Sequence, residues 1–394
     1  MIGVILTLNA GSSSLKFALY GEDGDTPLAQ GMVDRIGGNE ASLSLKDGAG
    51  NALPVADISP NDHTQALAVV LDNLRQAFPD TELRAIGHRV VHGGTDYAQP
   101  VLVDQTVLSK LDKLSPFAPL HQPHNLAGIR AAMEAFPGVP QIACFDTAFH
   151  RTHPWVNDAF ALPRDLYDRG VRRYGFHGLS YEYITGELQA SAPLIAASRV
   201  VVAHLGNGAS MCAIQNGRSV ASTMGFSALD GLPMGTRCGQ LDPGVLLYLL
   251  DQEGMSSDAI ADMLYRRSGL LGLSGGLSND MRTLEQSGTP EARQAIEYFV
   301  FRIQRELGAM AAAMGGIDGL VFCGGIGENS RLIRARICER TEWMGLEIDH
   351  ARNDENARII SSDISRVTAM VIPTDEGLVI VRAARAHLAQ ENAT

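Results

Sequence analysis

Two stretches of the chain share one local pattern: LNAGSSSLKFAL at residues 8–19 and AHLGNGASMCAI at 203–214. Each runs an apolar strand into a turn of glycine and small polar residues, then straight back into an apolar strand. The first turn holds more hydroxyls than a hairpin needs, since an Asn-Gly or Gly-Ser pair closes one, and in the second the glycines expose backbone N–H groups. That surplus suits a bound anion. A P-loop is excluded at Gly11, because GxxxxGK[ST] must lead into a helix, and LKFALY continues as a strand.

Each hairpin also opens a run of the same order. Residues 3–46 read as strands broken by turn signals at 11–14, 21–25 and 37–39, with 48–51 closing the run. Helical spacing follows over 62–78, then a strand in RAIGHRVV, helices near 104–114 and 123–136, and a strand in QIACFD. The second run has strands over 199–217 and in RSVAST, helices at 243–252, 256–266 and 290–314, and a strand in GLVFCGG. The expectation is an α/β chain of two similar halves, each opened by a small-residue hairpin, facing one another across a cleft.

Composition narrows the function. With 394 residues the chain is long enough for two domains, each with its own core. A formal charge of −12 argues against nucleic acid or an anionic membrane as partner, so any phosphate must be gathered by local basic residues. Cys144, Cys212, Cys238, Cys323 and Cys338 are scattered and lack CxxC spacing, which fits reduced thiols in a cytoplasm. MIGVILTLNAGSS lacks a basic n-region and reads as a core strand, not a signal peptide. No apolar run approaches the length of a membrane span.

Polar residues then cluster at predicted strand ends, where α/β proteins place their sites. GHRVVHGG (87–94) supplies Arg89 and His92, FDTAFHRTHP (145–154) supplies Asp146, and PTDEG supplies Asp375 and Glu376. YGFHGLS brings His177, AHLGNGAS brings His204 and Asn207, MGTRCG brings Arg237, and FCGGIGENS reads as a strand entering a glycine-rich turn before a helix. Singly, each reads as a turn or a satisfied core residue. Jointly they describe a site. Two other chemistries compete. His121, His124, Asp146, His150 and His153 have spacings a zinc hydrolase uses, but no HExxH occurs and prolines interrupt HQPH and HRTHP. GGIGENS lacks the full GxGxxG of a dinucleotide site.

In order, NAGSSSLKF, GHRVVHGG, APLHQPHN, FDTAFH, RYGFHG, HLGNGAS, GLPMGTRCG, SGLLGLSGGLSNDMR, FCGGIGENS and PTDE resemble the acetate kinase family across nearly the whole chain. That family belongs with sugar kinases and actin. The resemblance implies two RNase H-like α/β domains around a nucleotide cleft: residues 1–149 with 376–394, and residues 150–375, the second carrying the adenosine pocket and a homodimer interface. It implies reversible transfer of the ATP γ-phosphate to acetate, giving ADP and acetyl phosphate, with magnesium or manganese. Propionate or another short-chain acid is the alternative acceptor, and a nucleotide-binding filament protein of the actin type is the alternative class.

The same resemblance distributes roles. Ser12, Ser14 and Lys16 of the first hairpin and His204, Asn207 and Gly208 of the second would contact the phosphates. Asp280, Met281, Arg282, Gly325, Ile326, Gly327 and Asn329 would hold the adenosine. Glu376 and Asn9 would hold the metal with Asp146 near, and Arg89, Arg237, His177 and Asp146 would carry catalysis. Arg89, Val91, Leu120, Phe176 and Ala228 would receive the acid. Three positions depart from the family pattern: Ala228 stands for its usual proline, Gln240 for an acidic residue, and Asp375-Glu376-Gly377 for Asn-Glu-Glu. A carboxylic acid with a pKa of roughly 4 is already ionised at neutral pH, so the reaction needs cations that cancel repulsion, not a base.

Overall fold

The computed structural model describes every residue except 12, 39, 56–58 and 392–394. The chain divides into two compact units, Met1–Ala148 with Asp375–Thr394 and Phe149–Thr374. In the first unit β1 (Ile2–Ala10), β2 (Ser14–Gly21), β3 (Ala29–Asp34), β4 (Ser42–Asp47), β5 (Thr81–Val90), β6 (Val101–Leu102) and β7 (Gln141–Phe145) form one sheet in the order β4-β3-β2-β1-β5-β7-β6. β1 runs antiparallel to β2, with Asn9 opposite Lys16, and parallel to β5, which is parallel to β7. Residues 4–8 of β1 are all buried because both faces of the sheet are covered. On one face Val4, Leu6 and Leu8 join a cluster with Ala66, Leu67, Val70 and Leu74 of the helix His63–Ala77. On the other, the helix Glu376–Glu391 crosses β5 so closely that a Cβ at Gly87 would sit 2.3 Å from Ile380 Cγ2.

The second unit repeats the plan. β8 (Arg199–Leu205), β9 (Ala209–Gln215), β10 (Arg218–Ser222), β11 (Gly319–Cys323) and β12 (Thr368–Val371) lie in the order β10-β9-β8-β11-β12. That order matches β3-β2-β1-β5-β7, with the same antiparallel first hairpin and parallel later strands. Two RNase H-like sheets are therefore present, one in each unit. Val200, Val202 and Val321 pack with Tyr181, Ile184 and Leu188 of the helix Gly178–Ser191. The helix Pro290–Met314 starts at the capping hydroxyl of Thr289, with proline in its first turn, and stops at Gly315, whose φ of 70° is left-handed.

One local expectation is corrected. The glycines of FCGGIGENS do not form a turn before a helix: Gly324–Asn329 is itself helical, and Ser330 caps the next helix, Arg331–Glu339. The Glu328 carboxylate, accepting from Gly324 N at 2.8 Å, supplies the partner that glycine propensity does not. Pro123 stands in the first turn of the helix Gln122–Ala135, as the pattern over 123–136 anticipates. Among the described residues no helix is long and apolar enough to cross a membrane.

Candidate active site

Parallel β5 and β7 end on the same edge of the first sheet, and the last helix begins there. Arg89, near the end of β5, donates from Nε and Nη2 to both oxygens of Asp146, at 3.1 and 2.6 Å, and from Nη1 to Asn9 Oδ1 at 3.1 Å. Glu376 Oε2 lies 3.5 Å from Arg89 Nε. The Asp146 side chain is 1% exposed, that of Arg89 19%. Burial, reinforced by the charge of Glu376, pushes the Asp146 carboxyl up to about 6 despite the guanidinium beside it. Burial works against the Arg89 charge, but Asp146 and Glu376 outweigh it and hold its pKa above the ordinary value. Two carboxylates thus share one arginine, and the cluster is short of positive charge.

Two side chains that motif reading passes over hold this edge together. Asn125 accepts from Val91 N at 3.0 Å and donates to Ala10 O at 2.6 Å, so it ties the ends of β1 and β5. Gln122 accepts from His92 N at 3.1 Å and donates to His92 O at 3.0 Å. Both are buried, and the available signal was a pair of amides three residues apart on an otherwise apolar helix face. His63, whose ring nitrogen lies 2.7 Å from Gly11 O, anchors the first turn in the same way. Lys16 is exposed on β2, Ser14 is partly buried at its start, and Ser12 lies outside the described residues. Val91 is buried and Leu120 partly so.

In the second unit the turn after β8 is packed by polar side chains. A Cβ at Gly208 would lie 2.9 Å from Arg237 Nη2 and 3.2 Å from His177 Nε2, so the absence of a side chain lets both groups close over the turn. His177 occupies a left-handed conformation, φ 59°, at the start of the helix Gly178–Ser191. Its Nδ1 is 2.8 Å from the Ser210 hydroxyl, and its ring stacks on that of His204 with centroids 4.4 Å apart. His204 Nδ1 is held by Ser180, which in turn meets Thr374. Arg237 Nη1 donates to Ala228 O at 2.9 Å. Phe176, next to His177, is buried.

Beside this turn is a cavity of about 560 Å³. Asn207, Asp280, Met281, Arg282, Gly325, Ile326 and Asn329 line it, all anticipated, as do Gly206, Asn279, Glu285 and Ser330, which were not. Gly327 lies behind the wall, buried. Asp280 caps the helix Met281–Ser287, accepting from Arg282 N at 2.8 Å and Thr283 N at 3.2 Å, and pairs with the Arg282 guanidinium at 3.0 Å. The Arg282 bond, more than the backbone N–H groups, lowers its carboxyl pKa. Of the histidines considered for zinc, His150 Nδ1 and Nε2 lie within hydrogen-bond distance of Ser219 Oγ and Phe176 O, and His153 Nε2 lies 2.8 Å from the same serine oxygen.

Comparison with known proteins identifies the lineage. The sequence profile of the Acetokinase family matches residues 4–382. An acetate kinase of Methylocella silvestris is 59% identical over 98% of both chains. Among solved structures, an acetate kinase of Porphyromonas gingivalis has a TM-score of 0.88 at 37% identity, covering 98% of this chain and 100% of its own. A propionate kinase of Francisella tularensis has a TM-score of 0.91 at 37% identity over 97% of this chain and 99% of its own. The chain belongs to the acetokinase family, phosphotransferases whose acceptor is a carboxyl group.

Proposed function

We propose that this enzyme is an acetate kinase, transferring the ATP γ-phosphate reversibly to acetate with magnesium or manganese as the metal. The observation that carries the reading is the second hairpin: a guanidinium and an imidazole converge over the bare backbone of Gly208, beside a cavity sized for a nucleoside. Backbone N–H groups and small residues of such a turn hold phosphate oxygens without a P-loop. Asn207 and Gly208 would take the phosphates with His204, and the cavity the adenosine. Ser12, Ser14 and Lys16 would add contacts from the first hairpin.

The cluster of the first unit, with two carboxylates to one guanidinium, fits a hard divalent cation. Two carboxylates and an amide oxygen are the kind of donors magnesium accepts, completing its shell with water and phosphate. Among the described residues no group of three or more His, Cys, Asp and Glu side chains is placed to hold a metal ion, so an ion here would rest on fewer protein donors than a dedicated cage supplies. Glu376 and Asn9 would hold the ion, which when bound neutralises phosphate oxygens. Asp146 fixes the Arg89 fork. Arg89 and Arg237 then bring two anions together, each guanidinium holding carboxylate and phosphoryl oxygens in a plane that lysine cannot match. His177 donates to the transferring group. Asp146 removes no proton, because the acceptor is ionised.

Val91, Leu120, Phe176 and Ala228 would receive the methyl end. Alanine in place of a proline ring enlarges that end, which supports propionate as a secondary substrate, discriminated by only ~1–3 kcal/mol per methylene. A coupled assay of ADP release decides: turnover should require a short-chain acid and favour acetate, and acid-independent turnover would defeat the reading. We extend the proposal to a cytoplasmic homodimer joined through the second unit. The helix Pro243–Asp251 supports this, since none of its residues is buried, with Leu247 61% and Tyr248 53% exposed. Sedimentation at the 42.2 kDa of one chain would reject it.

A further inference from the structure

We propose that His150, oriented by Ser219, is the positioning residue that holds the strained Gly175–Phe176–His177 turn in its working shape; the proposal rests on the role of His177 given above. His150 is fully buried in the second unit. Its Nε2 lies 2.9 Å from Phe176 O and its Nδ1 2.8 Å from Ser219 Oγ. A carbonyl only accepts, so Nε2 carries the proton and Nδ1 is left with a lone pair. The Ser219 hydroxyl must then donate its one proton to Nδ1. His153 Nε2, 2.8 Å from the same oxygen, is left to donate to it, and Cys212 Sγ completes the group at 3.1 Å. This assignment takes both rings as neutral, with His153 Nδ1 left as a buried acceptor that has no hydrogen-bond partner. Burial agrees, lowering His150 to about 4 and His153 to about 2.

The turn these bonds hold is one that ordinary side chains avoid. Gly175 has φ 73° and His177 φ 59°, and a non-glycine residue in the left-handed region persists only where its surroundings over-determine it. Gly175 also presses on the imidazole: a Cβ there would meet His150 Cγ and Cδ2 at 2.6 Å. The Phe176 carbonyl belongs to the peptide that leads into His177. The bond from His150 therefore fixes the orientation of that peptide, and with it the imidazole that reaches Ser210 and Gly208. Neither His150 nor Ser219 lines the cavity assigned to adenosine, so their loss should spare nucleotide binding.

The test uses His150→Phe, which keeps an aromatic ring but no donor, His150→Gln, which returns an N–H at the reach of Nε2, and Ser219→Ala. For His150→Phe, kcat should fall ~10–100-fold, the range for losing an orienting partner, while ADP affinity by calorimetry stays within about twofold of the parent. His150→Gln should regain part of that loss, and Ser219→Ala should fall less than His150→Phe. In the parent, ¹⁵N NMR should show His150 as the neutral Nε2–H tautomer, and the His177 signals should move in Ser219→Ala. An Nδ1–H tautomer, or His150→Phe with parental kcat per folded molecule, overturns the proposal. If His150→Phe does not fold, Ser219→Ala decides, since unmoved His177 signals with parental kcat overturn it equally. A parent without acetate-dependent turnover sinks the function while the tautomer and His177 signals still judge the relay.

Discussion

The two units carry the same strand order, β3-β2-β1-β5-β7 in one and β10-β9-β8-β11-β12 in the other, yet they equip the strand ends with opposite chemistry. In the first, Arg89, Asp146 and Glu376 concentrate full charges, with the aspartate side chain only 1% exposed. In the second, the turn after β8 is lined by stacked imidazoles, hydroxyls and backbone, with Arg237 donating to a carbonyl. A common scaffold supplies the same edge twice, and the residues placed there set its chemistry; on the proposal above the first edge would take a cation and the second a polyanion.

The largest expected effects come from the two arginines, and they separate the units. Replacing either Arg89 or Arg237 by Ala should lower kcat roughly 10²–10³-fold with little change in nucleotide affinity, as when one preorganised donor is removed. Stability should not respond alike. Arg89→Ala leaves Asp146 buried without its bidentate partner, which costs about 3–5 kcal/mol. Arg237→Ala gives up a bond to a backbone carbonyl, worth nearer 1–3 kcal/mol. Denaturant melts and turnover on the same preparations check both; equal melts with unequal kcat would break the contrast.

Acid should also tell the units apart, measured without added metal. Burial lowers His88 of the first unit and His150 of the second from 6.5 to about 4. The unfolded chain then binds more protons between those values, so stability is complete above pH 6.5 and falls as pH drops towards 4, by roughly 3 kcal/mol per histidine. Asp146 has the opposite sign: its folded value is raised to about 6 from 3.8, so protonation favours the folded state and offsets His88. In the second unit burial raises the Glu182 carboxyl in the same sense, but His153, lowered to about 2, adds a second large loss there. Hydrogen exchange at stepped pH should show the second unit opening first.

Much of this contrast was legible before any coordinates, because it lies in local patterns. The hairpins follow from small residues between apolar runs, and Arg89 and Asp146 from their places at strand ends. The Thr289-Pro290 start and the Gly315 stop mark the long helix. What escaped depends on partners far along the chain. Glu328 turns GGIGEN from a glycine break into a helix by bonding Gly324 N, and it also accepts from Thr374 N at 3.1 Å. Asn125 ties strand ends more than thirty residues apart in sequence to its own position, and Ser219 orders two histidines on another segment. Such bonds override propensity without leaving a periodic trace.

Glu376 gives the next effect in size. Glu376→Gln keeps the side chain's shape but removes the charge that leaves the first unit short of cations. The magnesium concentration for half-maximal turnover should rise roughly 10–100-fold, the scale on which losing a partner of a bound metal weakens it. Saturating metal should restore much of kcat, since Arg89 and Asp146 remain paired. A shift in ADP affinity instead of in metal dependence would move Glu376 out of the metal site and blur the division between the units.

The smallest effect tests the cavity of the second unit. Asp280 caps the helix Met281–Ser287 and lines the space assigned to adenosine. Asp280→Ala should cost about 1 kcal/mol of stability from the lost cap and weaken ADP binding, because Met281 and Arg282 stand in the first turn of that helix. Asp280→Asn separates the two roles. Asparagine caps a helix about as well as aspartate, so stability should hold, while the pairing that orients the 83% exposed Arg282 side chain is weakened. If ADP affinity follows the cap, falling in Asp280→Ala and not in Asp280→Asn, the helix start is what the nucleotide reads. If it falls equally in both, the nucleotide reads the Arg282 pairing, and charge would matter in the second unit much as it does in the first.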